Sequence, residues 1–146
     1  MPNKKVLLVE DEPSTLNALQ DRFIKSNYEV LLASNGQEGY DKAIAEKPDI
    51  IIMDILMPVV DGCAMLKKLR SDEWGITAKV IVLTNLSFNE LLALAYRVDG
   101  LTSKSDVATS KESVAGALIN KEYIHMMKTQ TKLDDIIKEA KKIIKQ

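Results

Sequence analysis

The sequence predicts an α/β fold: a five-stranded, doubly wound parallel sheet sandwiched between helices in three layers. Three observations carry it. The apolar runs Val6–Val9, Ile50–Met53 and Val80–Leu83 are continuous rather than alternating, as in strands buried on both faces. Stretches with helical spacing separate them, so strand and helix alternate in short units. The runs also end in polar or charged residues, which a parallel sheet would gather along one edge.

Lys5–Val9 is the first strand and ends in Glu10, Asp11 and Glu12. Pro13-Ser14 opens a helix in which Leu16, Leu19, Phe23 and Ile24 recur at near-helical spacing. Tyr28–Ala33 is the second strand. Ser34-Asn35-Gly36 then turns the chain into a helix carrying Tyr40, Ala43 and Ile44, which Pro48 terminates. The third strand, Ile50–Met53, stops at Asp54, with Met57-Pro58 and an Asp61-Gly62 turn beyond it. A helix packing through Met65, Leu66 and Leu69 follows, then a loop at Trp74–Thr77. The fourth strand, Lys79–Leu83, ends at Thr84-Asn85.

Asn89–Val98 reads as a helix that is apolar nearly all round, and Asp99–Ser110 as a polar loop. Lys111–Ile119 reads as a short helix capped by Ser110, with Val114, Ala115 and Leu118 on one face. Glu122–Met127 is the fifth strand, ending at Lys128. In Lys132–Lys145 the apolar residues Leu133, Ile136, Ile137, Ala140, Ile143 and Ile144 form one stripe. Thr131 is the expected cap, and Asp134 and Asp135 against late lysines match the helix dipole.

The 146 residues suffice for one domain, 1–146, with a real core. Twenty basic against 21 acidic residues give net −1, without the basic excess of a nucleic-acid footprint. The single cysteine, Cys63, forms no internal disulfide and reads as packing beside Gly62. No leader and no apolar run of membrane length is visible, so a cytoplasmic location without membrane partners is expected.

Along the expected sheet edge lie Glu10 and Asp11, then Asp54, Thr84 and Lys128: three carboxylates, a hydroxyl and an ammonium from four strand ends. Clustered acids repel unless a cation shares their site, and all-oxygen donors with room for water suit Mg²⁺. A carboxylate beside Mg²⁺ can attack a phosphoryl group. The transfer then needs neutralisation of the phosphoryl oxygens more than acid–base chemistry.

Val6-Leu7-Leu8-Val9-Glu10-Asp11-Glu12, Met53-Asp54-Ile55-Leu56-Met57-Pro58-Val59-Val60-Asp61-Gly62, Val82-Leu83-Thr84 and the strand-end Lys128 resemble the receiver domain of two-component response regulators. The likeness is close from Lys4 to about Ser87 and looser from Lys128 to Lys145. It implies a flavodoxin-like sheet in the order 2-1-3-4-5. It implies Asp54 as phosphoacceptor and Asp11 as a direct Mg²⁺ ligand. Glu10 would help to hold the metal, and the Leu56 backbone carbonyl would complete the protein ligands. Thr84 would follow the phosphoryl group and Lys128 would pair with it. The implied donor is a sensor histidine kinase or a small phosphodonor.

The chain departs from that family in four places. Thr84 and Lys128 are 44 positions apart, about twice the usual interval, so an insertion is expected at about 99–119. The aromatic that reports movement of the hydroxyl usually sits three residues before the lysine. Here that position is His125, with Tyr123 two residues earlier as the substitute if the strand is longer. Asn85 stands where a small residue is common, and Thr129 where proline is; Lys121 and Lys104 are the poorer substitutes for Lys128. His125, the only histidine, reads as a strand residue rather than a phosphorelay histidine.

The expected function is a stand-alone receiver without enzymatic output. It would signal through an unknown downstream protein or a homodimer contact in the 89–145 region. A pseudo-receiver scaffold that lacks the switch is the alternative. A haloacid-dehalogenase-type phosphatase needs a second acid two residues after its nucleophile, and that position holds Leu56.

Overall fold

The computed structural model describes residues 3–100 and 113–145. Five parallel strands form one sheet: β1 (Lys5–Val9), β2 (Glu29–Ala33), β3 (Ile50–Met53), β4 (Val80–Thr84) and β5 (Tyr123–Met127), in the order β2-β1-β3-β4-β5. The helices are α1 (Pro13–Lys25), α2 (Gly36–Glu46), α3 (Gly62–Arg70), α4 (Phe88–Val98), α5 (Val114–Ile119) and α6 (Leu133–Ile144). The expected three-layer, flavodoxin-like sheet is therefore present, in the expected order.

Side chains of a strand alternate between faces, and here both faces are apolar because both are covered. Val6, Leu8, Ile50, Ile52, Ile81 and Leu83 pack on one side with Leu19 and Phe23 of α1 and Ile136, Ile137 and Ala140 of α6. Leu7, Val9, Ile51, Met53, Val80 and Val82 pack on the other with Met65, Leu66 and Leu69 of α3, Leu91 and Ala95 of α4, and α5. Arg22 of α1 pairs with Asp134 of α6 across the first layer.

Several details differ from the sequence reading. Glu12, not Pro13-Ser14 alone, starts α1: its carboxylate accepts the Ser14 and Thr15 amides at 3.2 and 2.9 Å. The Ser14 and Thr15 hydroxyls, and after them those amide bonds, hold its pKa down to about 2. Within the expected loop at 74–77, Gly75–Thr77 make a turn of 3₁₀ helix. Ser87 and Glu90 form a reciprocal capping box, which moves the start of α4 back to Phe88. The α5 helix begins at Val114, capped by Ser113, whose hydroxyl accepts the Gly116 amide at 2.9 Å; Ser110 lies outside the described residues. Thr131 does not cap α6. Lys132 holds that position without a side-chain bond, and Asp134 and Asp135 complement the helix dipole instead.

Between β4 and β5 the described residues comprise α4 and the short α5, with most of the expected insertion outside them. Residues Val114–Leu118 are all buried, so α5 is enclosed rather than amphipathic. Asp99 joins the chain on either side of 101–112. Its carboxylate accepts the Val114 and Ala115 amides at 3.0 and 2.9 Å, the Ser113 hydroxyl at 3.0 Å and the Lys67 ammonium at 3.2 Å.

Candidate functional site

Parallel pairing brings the predicted residues to one edge. Val9 is in register with Met53, so Glu10 and Asp54 leave their strands side by side, and the Asp54 amide donates to the Val9 carbonyl at 3.0 Å. Thr84 ends β4 opposite Met127, which delivers Lys128 one residue later. Glu10, Asp54 and Thr84 are buried, Lys128 is largely covered and Asp11 is exposed.

The Lys128 ammonium bridges the buried acids, at 2.6 Å from Glu10 Oε1 and 2.7 Å from Asp54 Oδ2. Asp54 Oδ1 accepts the Ile55 amide at 2.7 Å. Burial pushes the Glu10 carboxyl up to about 7; the Lys128 bond pulls against that and the neighbouring Asp54 charge adds to it. Burial works against the Lys128 charge, but its bonds to Asp54 and Glu10 win and its pKa is raised. Lys128 therefore stays an ammonium.

Glu10, Asp11 and Asp54 each offer an oxygen, all within 4.8 Å of one another. That donor set fits a hard divalent cation of the Mg²⁺ kind. Leu56 lies in the bend after Asp54 with its side chain 58% exposed, and no described group donates to its carbonyl. Thr84 is fully buried, and its hydroxyl accepts a long 3.4 Å bond from the Leu86 amide rather than touching Asp54. The start of α3 is tight against the acid: a Cβ on Gly62 would lie 2.4 Å from the Asp54 carbonyl oxygen.

The two candidates for the reporting aromatic separate cleanly. Tyr123 is the first residue of β5, paired with Val80 at the far end of β4 from Thr84. The strand is not longer, so Tyr123 is not the substitute. His125 is level with Val82; its Nε2 lies 2.9 Å from the Leu86 carbonyl, and its ring is tilted against Phe88 at 6.0 Å. This attachment of β5 to the segment after Thr84 was not visible in the sequence. Lys121 precedes β5 at the opposite edge, and Lys104 lies outside the described residues. Cys63 is buried and its thiol is pushed up to about 12, chiefly by burial, as fits a packing role.

Comparison with known proteins agrees with this geometry. The family described as "Response regulator receiver domain" matches residues 6–121. The alkaline phosphatase synthesis transcriptional regulatory protein PhoP of Bacillus subtilis is 30% identical over 134 residues, covering 92% of this chain. The chain spans only 56% of that protein's length. Sporulation initiation phosphotransferase F of the same organism is 28% identical over 102 residues, covering 70% of this chain and 81% of its own. The response regulator TrrA of Thermotoga maritima, solved in complex with Mg²⁺ and BeF, aligns with a TM-score of 0.64 at 26% identity. That alignment covers 96% of this chain and 98% of TrrA. Sheet order, strand-end acids and the family match agree, and the chain belongs to the response regulator receiver domain family of two-component signalling.

Proposed function

We propose that this chain is a single receiver domain in which Asp54 accepts a phosphoryl group from a sensor histidine kinase or a small phosphodonor. The observation that carries the reading is the Lys128 ammonium held between Asp54 and Glu10 at the strand ends. In the transfer an Asp54 carboxylate oxygen forms the new P–O bond as the bond from phosphorus to the donor's histidine nitrogen breaks, the electron pair leaving on nitrogen. Lys128, already 2.7 Å from Asp54, passes to a phosphoryl oxygen and neutralises part of its charge. The Thr84 hydroxyl gives up its long bond from Leu86 to donate to another.

Glu10, Asp11, Asp54 and the Leu56 carbonyl are the proposed holders of Mg²⁺. When bound, it supplies positive charge to the phosphoryl oxygens. Lys128, which neutralises both buried acids, would share that task with the metal.

The output is a protein contact rather than catalysis, made by a downstream partner or a second copy through the 89–145 region, in the cytoplasm. Movement of Thr84 reaches that region through Leu86, which is bonded to Thr84 on one side and to His125 on the other. The exposed apolar Leu56, where a phosphatase would carry its second acid, supports a switch over a hydrolase.

The test is incubation with acetyl phosphate and Mg²⁺ followed by intact mass measurement. Wild type gains one phosphoryl group and Asp54→Asn gains none. An unmodified wild type sinks the proposal in favour of the scaffold reading, and turnover of a phosphate ester sinks it in favour of the phosphatase.

A further inference from the structure

Asp99 closes α4 with its side chain only 1% exposed. Its Oδ1 accepts from the Val114 amide at 3.0 Å and the Lys67 ammonium at 3.2 Å. Its Oδ2 accepts from the Ala115 amide at 2.9 Å and the Ser113 hydroxyl at 3.0 Å. A carboxylate has about four acceptor sites, and here α3, the cap of α5 and α5 itself fill them. A buried charge is tolerated only while its partners stay, so each of these bonds is costly to break. Three helices therefore meet at one joint that resists being pulled apart.

Both elements that Asp99 holds lead back to the phosphoacceptor. Lys67 belongs to α3, which begins at Gly62; that residue's amide donates to the Ile55 carbonyl at 2.8 Å, and its Cα packs directly on the Asp54 backbone. On the other side α5 runs straight into β5. The Lys121 amide donates to the Leu118 carbonyl at 3.2 Å and the Glu122 amide to the Ala117 carbonyl at 2.8 Å. The strand ends at Met127, and the next residue, Lys128, places its ammonium 2.7 Å from Asp54 Oδ2.

The α5 helix has six residues, too few to hold itself. Its position is set by its buried side chains and by Asp99, so a displacement of α3 either carries α5 with it or breaks a bond to a buried charge.

We infer that Asp99 couples α5 to the phosphoacceptor through Lys67 and α3, so that a change at Asp54 is registered in residues 114–122. Asp99 is a positioning residue and touches neither the metal site nor the phosphoryl site. The inference rests on the phosphoacceptor reading, and its test tells the two apart.

The test is hydrogen exchange of the full chain, read by mass spectrometry with and without beryllofluoride and Mg²⁺, alongside intact mass after acetyl phosphate treatment. Wild type gains the phosphoryl adduct, and beryllofluoride changes exchange across 114–122 about fivefold or more. Lys67→Met keeps the adduct and the bonds on the α5 side, and loses that difference. Ser113→Ala removes the cap of α5 but leaves Lys67 on Asp99. It raises exchange of α5 about fivefold in both states and keeps the difference. The inference is overturned if the difference survives in Lys67→Met, if Ser113→Ala abolishes it, or if wild type carries the adduct with exchange at 114–122 unchanged. A wild type without the adduct overturns the phosphoacceptor reading, and this inference with it.

Discussion

Val59 holds a β-branched side chain at φ +68°, in the left-handed region, and leaves that side chain 83% exposed in the bend after Asp54. The position therefore carries backbone strain without packing to offset it. Asparagine tolerates this conformation, so Val59→Asn should raise stability by about 1 kcal/mol in urea unfolding. An unchanged or lowered midpoint would show that the bend is not strained. At Glu10 the consequence concerns the metal. A carboxyl whose pKa is raised to about 7 is increasingly protonated below that pH, and Mg²⁺ needs the carboxylate. Calorimetric titration should show Mg²⁺ affinity falling by up to about tenfold per pH unit below 7 and levelling off above it. Equal affinities at about pH 6 and 8 would remove Glu10 from the metal set. Glu10, Asp11, Asp54, Thr84 and Lys128 were legible because each follows or ends an apolar run, and parallel strands align such ends. The joint at Asp99 was not legible, because an aspartate closing a helix looks ordinary until the fold sets Lys67 and Ser113 around it.

The α4–α5 connection shows what an element borrows from distant sequence. Asp99 accepts two amides from the first turn of α5, the hydroxyl of that helix's own cap, and Lys67 of α3. Burial alone would raise its pKa, but the Ala115 and Val114 amides, Lys67 and Ser113 outweigh it, and the net shift is downward. A carboxyl lowered in the folded state contributes stability that is present above its unfolded pKa and lost as pH falls through the folded one. Asp99→Ala should therefore cost about 3 kcal/mol at neutral pH, and the deficit should shrink as the solution is acidified below the ordinary aspartate range. A pH-independent deficit would assign the effect to packing. Ser110 was a reasonable cap on local pattern, since several serines precede this helix. Ser113 takes the position where the start of α5 is fixed by Asp99, and a long-range acceptor leaves no mark in the local sequence. At α6 the converse holds: the acidic first turn and the lysine-rich end were readable, and the helix forms without the expected Thr131 cap.

On the scale of the molecule, the sheet sorts chemistry by its two edges. The carboxyl ends of β1, β3, β4 and β5 assemble the acids, the hydroxyl and Lys128. The amino ends of β4 and β5 border a cavity of about 520 Å³ lined in part by Arg70, Lys79, Lys121 and Glu122. Among the described residues no helix is long and apolar enough to cross a membrane. Strand order was implied by family resemblance rather than by residue patterning, which gives alternation of elements but not which strands are neighbours. The insertion was expected from the interval between Thr84 and Lys128, and most of 99–119 lies outside the described residues. We propose that this edge makes Asp54, and no other residue, a phosphoacceptor. The most direct measurement is borohydride trapping after treatment with acetyl phosphate and Mg²⁺, followed by peptide mass mapping. Reduction of an aspartyl phosphate leaves homoserine, and the account predicts it at position 54 alone. Homoserine at another acid, or at none while the protein stays folded, would contradict it.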